Sequence, residues 1–155
     1  MRNLFFFLLV LTVFACEIDE KQEVADCSAV TCLADSITIV LSDEAGNNLI
    51  ENGTYKRGDI EVTSDGQKRG EVPSNPEFEN VIIVFLNGVE GDIDYEIGLS
   101  QTETDSLRLN QSILDEGSYC CGPNYRVNSA IYNGTVKEII RKGNGFPLKQ
   151  VNVVK

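Results

Sequence analysis

Asp92, Asp94 and Glu96 stand at every second position of DIDYEIGLS, residues 92–100. Alternate side chains of an extended chain share a face, so three carboxylates in this spacing could offer oxygens to a hard cation such as Ca2+. An ordinary solvated strand shows the same pattern, with Ile93, Tyr95, Ile97 and Leu99 turned the other way. We adopt that second reading. No EF-hand loop is present, and no metal site and no cofactor are expected. Paired carboxylates can also hydrolyse a glycoside, but a chain with 24 acidic side chains in 155 residues contains many such pairs by composition alone. Histidine is absent. This removes the commonest general base and metal ligand, and it excludes Ser-His-Asp and Cys-His constellations within the chain. The chain is not expected to be an enzyme.

The residue at 16 carries a different chemistry. Residues 4–15 are apolar apart from Thr12, and Arg2 precedes them. A helix of that length covers roughly 18 Å, short of the roughly 30 Å of a bilayer's hydrocarbon core. It has the length of a signal-peptide apolar region. Val13-Phe14-Ala15-Cys16 resembles a bacterial lipobox, in which an aliphatic, a variable and a small residue precede the cysteine. Phe14 is bulkier than is common there. The resemblance implies cleavage before Cys16 and a diacylglyceryl thioether on its sulfur, usually with an acylated amine. More than one acyl chain gives stable anchoring. The Phe-rich run, FACE and the acidic stretch after it resemble small lipoproteins of the Bacteroidetes type and their surface-export signals. That implies a signal peptide at 1–15, a lipidated Cys16 and tether at 16–35, and a domain at 36–155. It also implies a lipid anchor in the outer membrane, on the periplasmic face or at the cell surface. The resemblance carries no particular activity.

Cys27, Cys32, Cys120 and Cys121 remain. Export would place them where disulfides persist. Adjacent cysteines seldom bond each other, because the small ring strains the peptide between them. Cys27 and Cys32 are therefore expected to bond Cys120 and Cys121, one each, in an order left open. Such closures of about 90 residues could contribute some 4 kcal/mol each in the chain-entropy model. A four-thiolate metal site is the alternative, but Cys-x4-Cys with a vicinal pair departs from zinc spacings.

The net charge is −11, and loss of Arg2 with a signal would make it −12 against the same 24 acidic residues. A chain this acidic, with no basic patch, repels nucleic acid. Arg126, Lys137, Arg141, Lys142, Lys149 and Lys155 nevertheless make the last 39 residues basic. They are expected mainly to neutralise acidic neighbours; a basic face for an anionic partner is the alternative. Tryptophan is absent, so sugar stacking would fall to the five tyrosines. Asn52-Gly53-Thr54, Asn110-Gln111-Ser112 and Asn133-Gly134-Thr135 match an N-glycosylation pattern, and Asp35-Ser36-Ile37 and Asp105-Ser106-Leu107 a short O-glycosylation pattern. Two of the former read more simply as Asn-Gly turns.

From Ser36 onward the elements that must position these residues are strands. SITIVLS (36–42), DIEVT (59–63), DIDYEIGLS (92–100) and SLRLN (106–110) alternate. VIIVFLN (81–87) is continuously apolar, as a strand buried on both faces should be. VPSNPEFEN (72–80) reads as loop. Residues 125–132, Asn133-Gly134 and 135–141 form the clearest hairpin signal, and residues 146–155 close with a strand. Eight or nine short strands without a confident helix predict an all-β, antiparallel two-sheet sandwich. Asp115 to Cys121 resembles the D-x-G-x-Y-x-C corner of immunoglobulin domains, without their tryptophan. Ile37 to Leu49 resembles the opening of carboxypeptidase-regulatory or transthyretin-like domains.

The reading is of a lipid-anchored cell-envelope protein whose domain is a non-catalytic binding or adhesion module for a glycan or protein. Tyr125, Arg126, Tyr132 and Lys137 are expected on the hairpin surface that binds. A structural or accessory subunit of an outer-membrane complex is the alternative.

Overall fold

The computed structural model describes residue 28 and residues 35–155 apart from 77, 79, 87, 119 and 142–148, with backbone alone at 116 and 118. Ten strands follow one another: β1 (Ser36–Ser42), β2 (Glu61–Ser64), β3 (Gln67–Glu71), β4 (Ile82–Phe85), β5 (Gly91–Gly98), β6 (Thr104–Ser118), β7 (Gly122–Tyr132), β8 (Thr135–Lys137), β9 (Ile139–Arg141) and β10 (Lys149–Val154). A single 3-10 turn at Arg57–Asp59 interrupts the long β1–β2 loop. Among the described residues no helix is long and apolar enough to cross a membrane.

The all-β expectation holds, but the strands join into one mixed sheet where two antiparallel sheets were expected. Its order is β8-β7-β6-β5-β2-β3-β4-β1-β10-β9. β3 is the joint that the sequence reading lacked. Its residues, QKRGE, show no apolar alternation, yet it pairs with β2 on one side and β4 on the other. It stitches β5–β8 and β2 to β1, β4, β9 and β10. The second joint is the run 135–141. Its first half, β8, pairs with β7; its second half, β9, pairs with β10; only Glu138 separates them. The sheet order thus begins and ends on one stretch of chain, and the sheet is nearly closed into a barrel. Near-closure leaves few free strand edges. β1 and β10 run parallel, against the antiparallel expectation.

Alternation then sorts the side chains. Ile37, Ile39 and Leu41 of β1, Val62 of β2, Tyr95 and Ile97 of β5, Leu107 and Leu109 of β6, and Val151 and Val153 of β10 all point inward and are buried. Leu49, Ile50, Tyr55 and Ile60 of the β1–β2 loop close one end of this core. Asn133 and Gly134 both have positive φ, 47° and 75°, as the predicted two-residue hairpin turn between β7 and β8 requires. The stretch resembling an immunoglobulin corner forms the tip of the β6–β7 hairpin, where Asp115 Oδ1 accepts from Gly117 N and Asn124 Nδ2, each at 2.9 Å.

Candidate functional site

The hairpin surface proposed from sequence is not assembled. Tyr125 is 3% exposed and Tyr132 2% exposed, while Arg126 faces solvent and Lys137 is half-buried. β7 directs Tyr125, Val127, Ala130 and Tyr132 inward, so the two tyrosines lie on the core side. Tyr132 donates to Asp105 Oδ2 at 2.6 Å. The Tyr125 hydroxyl, beside Gly88, has no hydrogen-bond partner among the described residues. Tyr55 and Tyr95 are buried too, so no described tyrosine offers a sugar-stacking face. Cys16, Cys27 and Cys32 lie outside the described residues. Cys120 and Cys121 lie at the β6–β7 tip.

The acidic trio of β5 faces outward as expected, and two of its members, Asp92 and Asp94, are occupied. Arg108 on β6 forks onto Asp94, Nε to Oδ1 at 2.7 Å and Nη2 to Oδ2 at 3.1 Å. The Arg108 hydrogen bond holds the Asp94 carboxyl below its ordinary pKa. Asp92 Oδ1 accepts from Asn110 Nδ2 at 2.6 Å, and Asn110 Oδ1 accepts from Asn128 Nδ2 at 3.0 Å. A polar ladder therefore crosses β5, β6 and β7: Asp94–Arg108 and Asp92–Asn110 are register partners, and Asn128 reaches Asn110 from the register shift between Val127 and Ser129. Two open grooves flank Asp94. One, of about 240 Å³, is lined by Ser106, Arg108, Ile131 and Gly134; the other, of about 320 Å³, by Thr63, Ser64, Asp65, Gly66 and Glu96. Among the described residues no group of three or more metal-ligating side chains converges.

A second constellation lies at the loop end of the barrel. Lys155 Nζ sits 2.6 Å from both Glu103 Oε1 and Asp105 Oδ2, and 5.4 Å above the Tyr55 ring. Tyr55 donates to Glu103 Oε1 at 2.9 Å, and Asn133 Nδ2 to Asp105 Oδ1 at 2.8 Å. Burial pushes the Asp105 pKa up, but hydrogen bonds from Lys155, Tyr132 and Asn133 outweigh it and hold the carboxyl below its ordinary value. Burial lowers the Lys155 pKa less than hydrogen bonds to Asp105 and Glu103 raise it. Burial, then the Asp105 hydrogen bond, push Tyr132 far up. These groups satisfy one another, which makes the cluster a lock between β6, β7, the β1–β2 loop and Lys155 rather than a reactive centre. Of the basic C-terminal residues, Lys149 pairs with Asp35 and Lys155 with Glu103 and Asp105.

Sequence reading passed over one feature of the β1–β2 loop. Arg57-Gly58-Asp59 is exposed throughout on the 3-10 turn. The tripeptide itself was the legible signal. No family model, no curated protein and no solved structure matches the chain.

Proposed function

We propose that this chain is a lipid-anchored cell-envelope protein, tethered through Cys16 at the outer membrane, whose barrel is a non-catalytic binding or adhesion module. The observation that carries the reading is the outward polar ladder around Asp94 and Arg108. It is rigidly registered, open to solvent and flanked by grooves. Side chains already held in place by neighbours lose little freedom on binding. With the described tyrosines turned inward, a protein ligand suits this surface better than a stacked sugar. Disulfides from Cys27 and Cys32 to Cys120 and Cys121 would fasten the tether to the β6–β7 tip.

The accessory-subunit reading draws on a different observation. Beyond Gln111, β6 has no strand partner on its β5 side among the described residues, and the Glu90 carboxylate takes the Ile113 N–H there at 2.8 Å. Ile113 is 43% and Leu114 53% exposed beside this edge, which another chain's strand could extend by displacing Glu90.

Protease added to intact cells tests the location on which both depend. Cleavage places the domain outside and favours the adhesion module. Protection until the envelope is opened favours the accessory subunit. Release of Cys16→Ser from the membrane fraction is expected in either case, and retention of that variant would overturn the lipid anchor.

A further inference from the structure

Asparagine precedes glycine at 52, 87, 133 and 144. Asn87 and Asn144 lie outside the described residues. Glycine has no side chain to crowd its own main-chain nitrogen, so that nitrogen can reach the amide carbon of the asparagine before it. Asn52 and Asn133 are both exposed and both stand in turns. Sequence and exposure therefore do not separate them, but their hydrogen bonds do.

Asn133 is tied at both ends of its amide. Its Oδ1 accepts from Ser106 N at 2.7 Å, and its Nδ2 donates to Asp105 Oδ1 at 2.8 Å. Its main-chain N donates to Ser106 O at 2.9 Å. The side chain is thus folded back onto β6, and the amide cannot swing to Gly134 N without leaving a carboxylate. Bonds to charged groups are the stronger ones.

Asn52 is tied at its oxygen alone. Oδ1 accepts from Thr54 N at 3.0 Å and from Thr54 Oγ1 at 2.8 Å, and Nδ2 has no partner among the described residues. Two donors therefore converge on the atom that gathers negative charge when a nitrogen adds to the amide carbon, and the nitrogen that must leave is unencumbered. Donors already aimed at a developing oxyanion lower the barrier to its formation. Gly53 has a φ of 79° and nothing within 4 Å of where a Cβ would stand, so a ring closing there meets no wall. Its N–H is held by Ile50 O at 3.2 Å, the long end of the range for such bonds, and this one bond has to open.

We propose that Asn52-Gly53 is a self-deamidation site of the folded protein and that Asn133-Gly134 is not. Gly53 N bonds to Asn52 Cγ as the Cγ–Nδ2 bond breaks. Ammonia leaves, carrying the proton lost from Gly53 N, and a succinimide remains. Water then opens the ring at either carbonyl, giving isoaspartate or aspartate. Either product sets a new carboxylate beside Glu51. Isoaspartate also routes the main chain through the former side-chain methylene, within the loop whose Leu49, Ile50 and Tyr55 close one end of the core. This chemistry is independent of the binding reading and of where the domain faces.

The full chain, purified in detergent, is held at mildly alkaline pH, once folded and once in guanidinium chloride. Peptide mass mapping follows each site and resolves isoaspartate from aspartate. In the folded protein Asn52 is expected to convert at least about tenfold faster than Asn133, which must first be drawn off a carboxylate. In denaturant the two should convert at similar rates, since each precedes glycine. Thr54→Val, at an exposed position, keeps the branched shape and loses the hydroxyl donor. It should slow conversion at Asn52 by about threefold or more in the folded protein and leave the rate in denaturant unchanged. An unchanged thermal midpoint would show the fold of that variant intact. An unconverted Asn52 in the folded protein, conversion of Asn133 as fast as that of Asn52, or a folded Thr54→Val rate equal to wild type overturns the proposal.

Discussion

The Asp35 carboxylate and the Lys149 ammonium meet at 2.6 Å across the line where, among the described residues, the barrel wall shows no main-chain pairing. β7 pairs with β8 only through Ala130–Tyr132, and β9 has by then turned to β10. Asp35 fills the gap. Its Oδ1 takes Lys149 Nζ on β10, and its Oδ2 takes the main-chain N of Tyr125 on β7 at 2.6 Å. Arg141 Nη2 adds a bond to Val127 O at 3.3 Å. The side chains of the ion pair are only 11% and 16% exposed, so removing one partner strands the other. Asp35→Ala is expected to cost about 2–4 kcal/mol, read by urea unfolding. Lys149→Met in the Asp35→Ala background should recover part of that loss. Wild-type stability in Asp35→Ala would show that the seam is held elsewhere.

The lock around Lys155 predicts a pH window. Asp105 titrates below its ordinary value in the folded state, so its contribution is complete above about 3.9, the unfolded carboxyl value, and is lost as pH falls through the folded one. Lys155 titrates above its ordinary value. Its contribution is complete below about 10.4 and is lost as pH rises through the folded one. Unfolding free energy should therefore be flat through the neutral range with respect to this pair and fall at both ends. Asp105→Asn is expected to cost about 1–3 kcal/mol at pH 7 and to flatten part of the acid limb. An acid limb identical to wild type would assign that loss to other carboxylates.

Gly70 explains how so polar a strand as β3 reaches the sheet interior. It is buried between Val62 of β2 and Val84 of β4, its register partners. A Cβ there would overlap the Ile83 carbonyl and touch the Val62 side chain. Main chain cannot yield as a flexible side chain can. Gly70→Ala should cost more than about 2 kcal/mol, whereas Gly66→Ala in the preceding turn has open space and bears only the strain of its φ of 70°. Equal thermal midpoints for the two variants would count against this packing.

The strands that alternate were legible, and so was the turn at Asn133-Gly134, because period and turn chemistry are local properties. β1 occupies Ser36–Ser42, the alternating stretch itself. β3 was not legible, since QKRGE forms a strand only because β2 and β4 present edges to both its sides. Nor was closure: nothing in residues 135–141 shows that the run changes partner at Glu138. Both joints are long-range events, and without them the same strands read as two sheets. The misplaced tyrosines have a related cause. Which face of β7 is inward depends on where the core lies, and the strand's register shifts against β6 near Asn110 and Gln111. For the acidic trio the pattern gave the face, but not that Arg108 and Asn110 stand opposite it.

That opposition sets how the outer face should answer to calcium. Asp94 already receives both arms of Arg108, and Asp92 receives Asn110. A cation would have to displace a guanidinium from one ligand and an amide from another. Millimolar Ca2+ is expected to leave the thermal midpoint of the wild-type protein unchanged. Arg108→Ala removes an exposed pair, and exposed pairs contribute roughly 0–1 kcal/mol, so the variant should unfold close to wild type. It also frees Asp94 beside Asp92 and Glu96, and a Ca2+-dependent rise in its midpoint, absent from wild type, is the outcome expected if Arg108 is what keeps the trio from binding metal. A rise of the same size in both proteins would show that the carboxylates bind calcium despite their partners, and the solvated-face reading of β5 would fall.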